Sequence, residues 1–348
     1  MNKPNAIISL IIVFYNEENY LDRCLQSVAD QTYKDFEVIL VNDGSIDNSL
    51  EVATKYLPKI YKGTVLTIEN SGAAVARNTA LQKVSTKYVT FLDADDVLHP
   101  NMMEEFVQEI ERTKADLLVC DIEILSEDGL ITLPSKWHEV YNNIHKSSEL
   151  ASTFYKEGIV ETIWSKVFLT AFAQNIRFDK DLKLFDDRPF VLEFILMSKS
   201  VQFLPKKLIT HYSRKSSLTR RVLSDVRVKD VHRLFEVELD VIKRNGVEDI
   251  YKNGVYKNTL DYYMDTFLIQ IIDQNEMVSL PNFRAEYQEL LGLFCRKIKT
   301  DRIKLNKKDQ IALLLLKMPN QVGWRCTNLL LSVLKRKRLA TIKTIKNQ

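Results

Sequence analysis

Residues 1–125 predict an α/β fold: a mostly parallel sheet with helices on both faces. Two observations carry this. Apolar, strand-like runs alternate with helical patterns through the whole segment. Each of the first four runs ends in a polar cluster, and open α/β sheets bind ligands beyond the carboxyl ends of their strands.

The first strand is expected at Ile7–Phe14, within the apolar run AIISLIIVF. That run is too short to span a bilayer, and no small-residue cleavage site of a signal peptide follows it. Further strands are expected at Phe36–Val41, Thr64–Glu69, Tyr88–Leu92 and Asp116–Ile124, with helices at Tyr20–Gln31, Ser49–Tyr56, Ala73–Val84 and Met102–Thr113 between them. FYNEEN, NDGS, ENSG and DADD follow the first four strands and converge on one crevice. Residues 126–224 are mixed. A turn at Glu127–Gly129 and a polar segment about Trp137 lead to helical patterns at Ser148–Lys156 and Thr162–Phe172. The stretch KLFDDRPF, another helix and the extended run VQFLPKKLITHYSR complete this part. From Asp225 the periodicity is helical almost throughout. The expected division is therefore 1–224, in halves 1–125 and 126–224, and a helical region 225–348.

A chain of 348 residues accommodates one large domain and a smaller one. With 45% apolar and 27% charged residues it has the composition of a soluble globular protein. Cys24, Cys120, Cys295 and Cys326 form no pair motif and read as free thiols of a reducing cytoplasm. The net charge of +3 hides an asymmetry: residues 296–348 hold 15 Lys and Arg against Asp301 and Asp309. A basic tail on an acidic body suits an anionic surface.

YVTFLDADDVLHP (88–100) places Asp93, Asp95 and Asp96 where a strand ends. Like charges so close repel. Either they are solvated caps of the next helix, or they hold a divalent cation such as Mg²⁺ or Mn²⁺, which prefers carboxylate oxygens. Asp43, in LVNDGS, is a turn-and-cap residue or an acceptor for the imino hydrogen of a uracil ring. In SGAAVARN, Gly72 permits close backbone approach, and Arg77 binds phosphate or base, or is a solvated helix cation.

SLIIVFYNEENYLDRCLQSVADQTYKDFEVILVNDGSIDNS, NSGAAVARN and YVTFLDADDVLHPN resemble the nucleotide-sugar glycosyltransferases of family 2, which have the GT-A fold; the likeness runs from residue 7 to about 215. It implies inverting transfer from a nucleotide diphospho-sugar, most often a UDP-sugar, assisted by Mn²⁺ or Mg²⁺. By that resemblance Val13, Tyr15 and Glu17 frame the nucleoside, Asp43 contacts the base, and Asn70 and Ala94 belong to the donor site. Arg77 lies beside base and diphosphate, Asp93 near the ribose, and Asp95 ligates the metal. An inverting displacement needs a base to take the acceptor hydroxyl's proton. The family's acidic pair, Glu-Asp with Phe two residues on, is matched by LFDDRPF: Asp187 is the base and Asp186 replaces the usual Glu. Phe185 stands where the family has Gly, and Pro189 is a second departure. Capping of the following helix is the other reading of the pair.

WSKVF (164–168) resembles the family's Trp-x-Lys segment before the acceptor pocket, so Trp164 stacks on a sugar or packs in the core. His211 completes the metal site or is structural. Arg214, Lys215, Arg220 and Arg221 clamp the diphosphate or form a solvated run. Residues 307–338 hold two apolar helical segments edged by cations, which suits an anionic membrane surface, a packed hairpin or an oligomer contact. No aromatic-basic motif points to nucleic acid.

The expectation is a cytoplasmic enzyme, peripheral on the inner face of the membrane, that extends a surface glycan or lipid-linked acceptor. A catalytically silent subunit that binds nucleotide sugar is the alternative. A sugar-nucleotide pyrophosphorylase would need a Gly-rich, cationic loop after the first strand, and FYNEEN has neither feature.

Overall fold

The computed structural model describes residues 6–126, 146–157, 161–213, 224–272 and 280–317. The turn at 127–129, the segment about Trp137, the cations Arg214, Lys215, Arg220 and Arg221, Cys326 and the tail beyond 317 lie outside them.

The sheet comprises β1 (Ile8–Phe14), β2 (Glu37–Asn42), β3 (Gly63–Thr67), β4 (Tyr88–Asp93), β5 (Val97–Leu98), β6 (Leu117–Ser126), β7 (Lys166–Leu169) and β8 (Val201–Ser213), in the order β3-β2-β1-β4-β7-β6-β8-β5. The first four strands pair in parallel, β1 lying between β2 and β4. Strands β1, β2 and β4 are buried along nearly their whole length, which is why they read as unbroken apolar runs. The intervening helices are α1 (Leu21–Ala29), α2 (Ser49–Tyr56), α3 (Ala73–Leu81) and α4 (Met102–Thr113). Helix α1 buries Leu21, Cys24, Leu25 and Val28, a single stripe at helical spacing.

After α5 (Ser147–Glu157) the structure departs from one expectation. Thr162–Phe172 is not a helix. Lys166–Leu169 forms β7, antiparallel to both β4 and β6, and only Thr170–Ala173 turns helical, as α6. Two strand edges need backbone partners here, and Val167 and Phe168, buried between them, fill the sheet. A short apolar run of this kind fits either period. Strands β6 and β8 pair in parallel, and β5 is antiparallel to β8, so the sheet is mixed. Helix α7 (Asp187–Met197) lies between β7 and β8 in the chain.

Among the described residues four further helices follow: α8 (Ser224–Arg244), α9 (Glu248–Ile272), α10 (Leu280–Thr300) and α11 (Lys307–Lys317). The chain forms two compact units. One contains Met1–Arg221 together with Glu236–Tyr251, and the other Val222–Phe235 together with Lys252–Gln348. The second unit has its own aromatic core, in which Phe294 meets Phe235, Tyr256 and Tyr263 at centroid distances of 5.1, 5.7 and 5.4 Å. Among the described residues no helix is long and apolar enough to cross a membrane.

Candidate active site

The loops at the carboxyl ends of β1, β2 and β3 are stitched to one another. Asn16 (φ 54°) donates its backbone N–H to Ser45 Oγ at 3.1 Å and accepts the Ile46 N–H on Oδ1 at 3.0 Å. Glu17 N–H meets Ser49 Oγ at 2.8 Å. Gly44 turns with φ 72°, and a Cβ there would lie 2.7 Å from the Asn70 backbone nitrogen. Asp43, buried, accepts the N–H groups of Ser71 and Gly72 at 2.8 and 2.9 Å, one on each carboxylate oxygen. The residues expected on the donor side lie at these strand ends: Val13 half-buried at the end of β1, in register with Val41 and Asp93; Tyr15 exposed; Ala94 buried.

The Gly44 geometry gives a test. Gly44→Ala is expected to cost roughly 1–3 kcal/mol in urea unfolding, because it adds a backbone clash to a left-handed φ. Gly246, at φ 70° with nothing within 4 Å of its Cβ position, supplies the control: G246A lacks the clash and costs less.

Arg77, one turn into α3, does not point to solvent. Its guanidinium pairs with Asp186, lies 3.0 Å from Asp187 Oδ1 and reaches Asp93 at 3.6 Å. Burial alone would lower its proton affinity, but the three carboxylates raise it. Asp187 Oδ2 is 3.4 Å from the Ile163 N–H. Oδ1 faces Arg77 without a properly directed N–H, so it is buried with no hydrogen-bond partner. Burial, with Asp186 adding to it and Arg77 opposing, pushes the Asp187 carboxyl up to about 6.

Ligand oxygens of Asp93, Asp95 and Asp96 lie within 4.8 Å of one another. Burial, the Asp96 charge and weaker neighbours push Asp93 up to about 8, against the pull of Arg77. Asp96 is fully buried and anchored, accepting from His211 Nδ1 at 3.0 Å and from the Tyr212 N–H at 3.1 Å. Burial raises its carboxyl, and the His211 bond opposes this. The His211 ring stacks at 5.1 Å on Trp164, which is itself buried. His211 is thus bound to a member of the acidic cluster, and Trp164 packs against that histidine.

Two features went beyond the sequence reading: the partners of Arg23, and the burial of Lys166, the lysine of the Trp-x-Lys segment. Arg23 of α1 donates Nη2 to the Asp95 carbonyl at 2.8 Å and lies 3.8 Å over the Tyr212 ring. Nothing in its local pattern separates it from a solvated helix cation. Lys166 is fully buried, donating to the Thr162 carbonyl at 2.6 Å, and burial lowers it to about 7. Asp93, Asp95, Asp96, Asp186 and Asp187 thus lie near one another, with Arg77 paired to Asp93, Asp186 and Asp187 and His211 to Asp96. A hard dication fits Asp93, Asp95 and Asp96, whose clustered donors are carboxylate oxygens.

The Glycosyl transferase family 2 model matches residues 9–185, half of the chain. The chain belongs to glycosyl transferase family 2. The chain is similar to Glycosyltransferase GlyA of Streptococcus pneumoniae, 34% identical over 219 residues, which are 61% of this chain and 31% of GlyA. The chain thus spans about a third of that relative's length. It is 24% identical over 281 residues to the uncharacterized glycosyltransferase EpsJ of Bacillus subtilis, covering 79% of each. Among solved structures, S. aureus TarS 1–349 in complex with UDP-GlcNAc superposes with a TM-score of 0.65 at 19% identity, over 89% of this chain and 90% of that one. The sheet of this family 2 glycosyltransferase is accordingly GT-A-like, with helices following it.

Proposed function

We propose that the enzyme transfers a sugar, with inversion, from a UDP-sugar to a glycan or lipid-linked acceptor in bacterial surface-polysaccharide synthesis. The observation that carries this is Asp187: a half-buried carboxylate whose Oδ1 makes no hydrogen bond and lies 3.0 Å from the Arg77 guanidinium, which also reaches Asp93. The uridine donor is supported by a fold neighbour, TarS, that was solved with UDP-GlcNAc.

In this reading the stitched rim from Val13 to Asn70 receives the nucleoside. Asp43 fixes the Ser71–Gly72 backbone beside it and turns its remaining lone pairs to the base. Arg77 holds Asp186 and Asp187 at the end where the sugar sits and is the cation nearest the departing diphosphate. Asp187 takes the proton of the attacking hydroxyl, opposite the leaving group. Asp95, with Asp93 and the Asp96 turn, would hold Mn²⁺ or Mg²⁺; when bound, the dication neutralises charge on the nucleoside diphosphate. Arg23 steadies Asp95 through its carbonyl.

The base must be ionised to act. Turnover under subsaturating acceptor is therefore expected to rise about tenfold per pH unit below about 6 and to level off above it. A profile flat from pH 5 to 8 would remove Asp187 from that role. The donor assignment is tested with purified protein, Mn²⁺ and a panel of nucleotide sugars. Release of UDP from a UDP-sugar supports it, and release only from guanosine- or thymidine-linked sugars overturns it.

The tail is the proposed membrane contact. Helix α11 exposes Ile311 and Leu314 among Lys307, Lys308 and Lys317. Each cation near an anionic surface contributes about 1 kcal/mol, and salt weakens this contribution. The 348-residue chain should sediment with phosphatidylglycerol vesicles and a form ending at 306 should not, while its UDP-sugar hydrolysis stays intact. Equal pelleting of the two forms would instead favour a packed or oligomerising tail.

A further inference from the structure

Arg188, the residue after the proposed base, is 1% exposed. A guanidinium buried this deeply requires paired charge. Its Nε donates to Glu238 and its Nη1 to Glu161, while its Cζ lies 4.4 Å from the centre of the Phe154 ring. Glu238, itself buried, comes from the second half of α8, which belongs to the same compact unit as the crevice. A second ion pair joins these helices five residues further along α7, where Arg244 Nε meets Glu193 Oε1 at 2.7 Å. Arg188, Glu193, Glu238 and Arg244 all lie beyond residue 185, where the family match ends.

Asp187 and Arg188 form the first turn of α7 and project about 100° apart around its axis. Fixing one therefore fixes the rotation that aims the other. Asp187 has few hydrogen bonds of its own: Oδ2 has a long contact to the Ile163 N–H, and Oδ1 has no hydrogen bond, only the ion pair with Arg77 at 3.0 Å. We propose that Glu238 and Glu161 clamp Arg188 and thereby position Asp187, making the segment of α8 from Glu236 a working part of the catalytic unit. Arg188, Glu161 and Glu238 are positioning residues that act through the first turn of α7. The inference rests on Asp187 as the base.

The test compares Glu238→Gln, which opens the clamp, with Glu193→Gln, which weakens the other ion pair on the same helix. Two readouts are taken on the full chain: amide hydrogen exchange in residues 187–191, and UDP release from a UDP-sugar with Mn²⁺. For E238Q, exchange in that turn should quicken about tenfold. UDP release should fall by about tenfold or more with the donor KM within about twofold, since misplacement by an ångström costs up to roughly 10²-fold. E193Q should lose stability yet keep both readouts within about twofold of wild type. Unchanged exchange in E238Q, or equal losses of turnover in the two variants, would overturn the clamp. If E238Q does not fold, Glu161→Gln removes the other, partly exposed partner and is read in the same way. If wild type releases no UDP, the donor reading fails, and the exchange comparison alone decides the clamp.

Discussion

Asp187→Asn is expected to lower sugar transfer by roughly 10²–10⁴-fold while leaving donor affinity within about twofold. The amide keeps the shape of the carboxylate but cannot take up the hydroxyl's proton. The fold should tolerate the change, because Arg77 retains Asp186 and Asp93 as partners, and the Asn carbonyl oxygen can still face Arg77 in place of Oδ1. The check is single-turnover transfer beside a donor titration by calorimetry. Transfer within a few-fold of wild type would place the base elsewhere, with Asp186 the first candidate. Asp186 is the weaker candidate on geometry, since it is buried and paired directly with Arg77.

Asp95→Asn should abolish metal-dependent turnover. A bound dication contributes several kcal/mol to stabilising the leaving group's charge, so a loss of about 10²-fold or more is expected. Excess EDTA should do the same to wild type, and Mn²⁺ titrated calorimetrically into D95N should bind more weakly. Binding should release protons, because Asp93 is held up to about 8 in the metal-free protein. Full activity of D95N, or wild-type activity unchanged by EDTA, would contradict the metal assignment.

Much of this site was legible in the sequence for physical reasons. Parallel strands covered on both faces must be apolar throughout, so β1, β2 and β4 announced themselves, and the polar residues displaced to their ends marked the crevice. The acidic pair at 186 and 187 was visible through its resemblance to the family's acidic pair, since carboxylates before an apolar helix also serve as caps. What stayed hidden depends on tertiary partners. The pairing of Arg77 with Asp186 joins residues 109 apart in the chain, and no local pattern encodes it. Asp43 read equally as turn residue or base contact, and only the fold showed the Ser71 and Gly72 amides on it. Strand β7 was misjudged because its strand character comes from β4 and β6 on either side. The Arg188 clamp was invisible for the same reason: Glu238 lies 50 residues on, in a helix with no other sign of catalytic use.

The central claim is that Asp187 activates an acceptor on the face opposite the departing nucleoside diphosphate. Proton NMR of the first sugar product formed from an α-linked UDP-sugar with Mn²⁺, recorded before mutarotation, tests it most directly. The account predicts the β-anomer from wild type and its formation at least about 10²-fold slower by D187N. The α-anomer as first product, or equal formation by D187N, would contradict it.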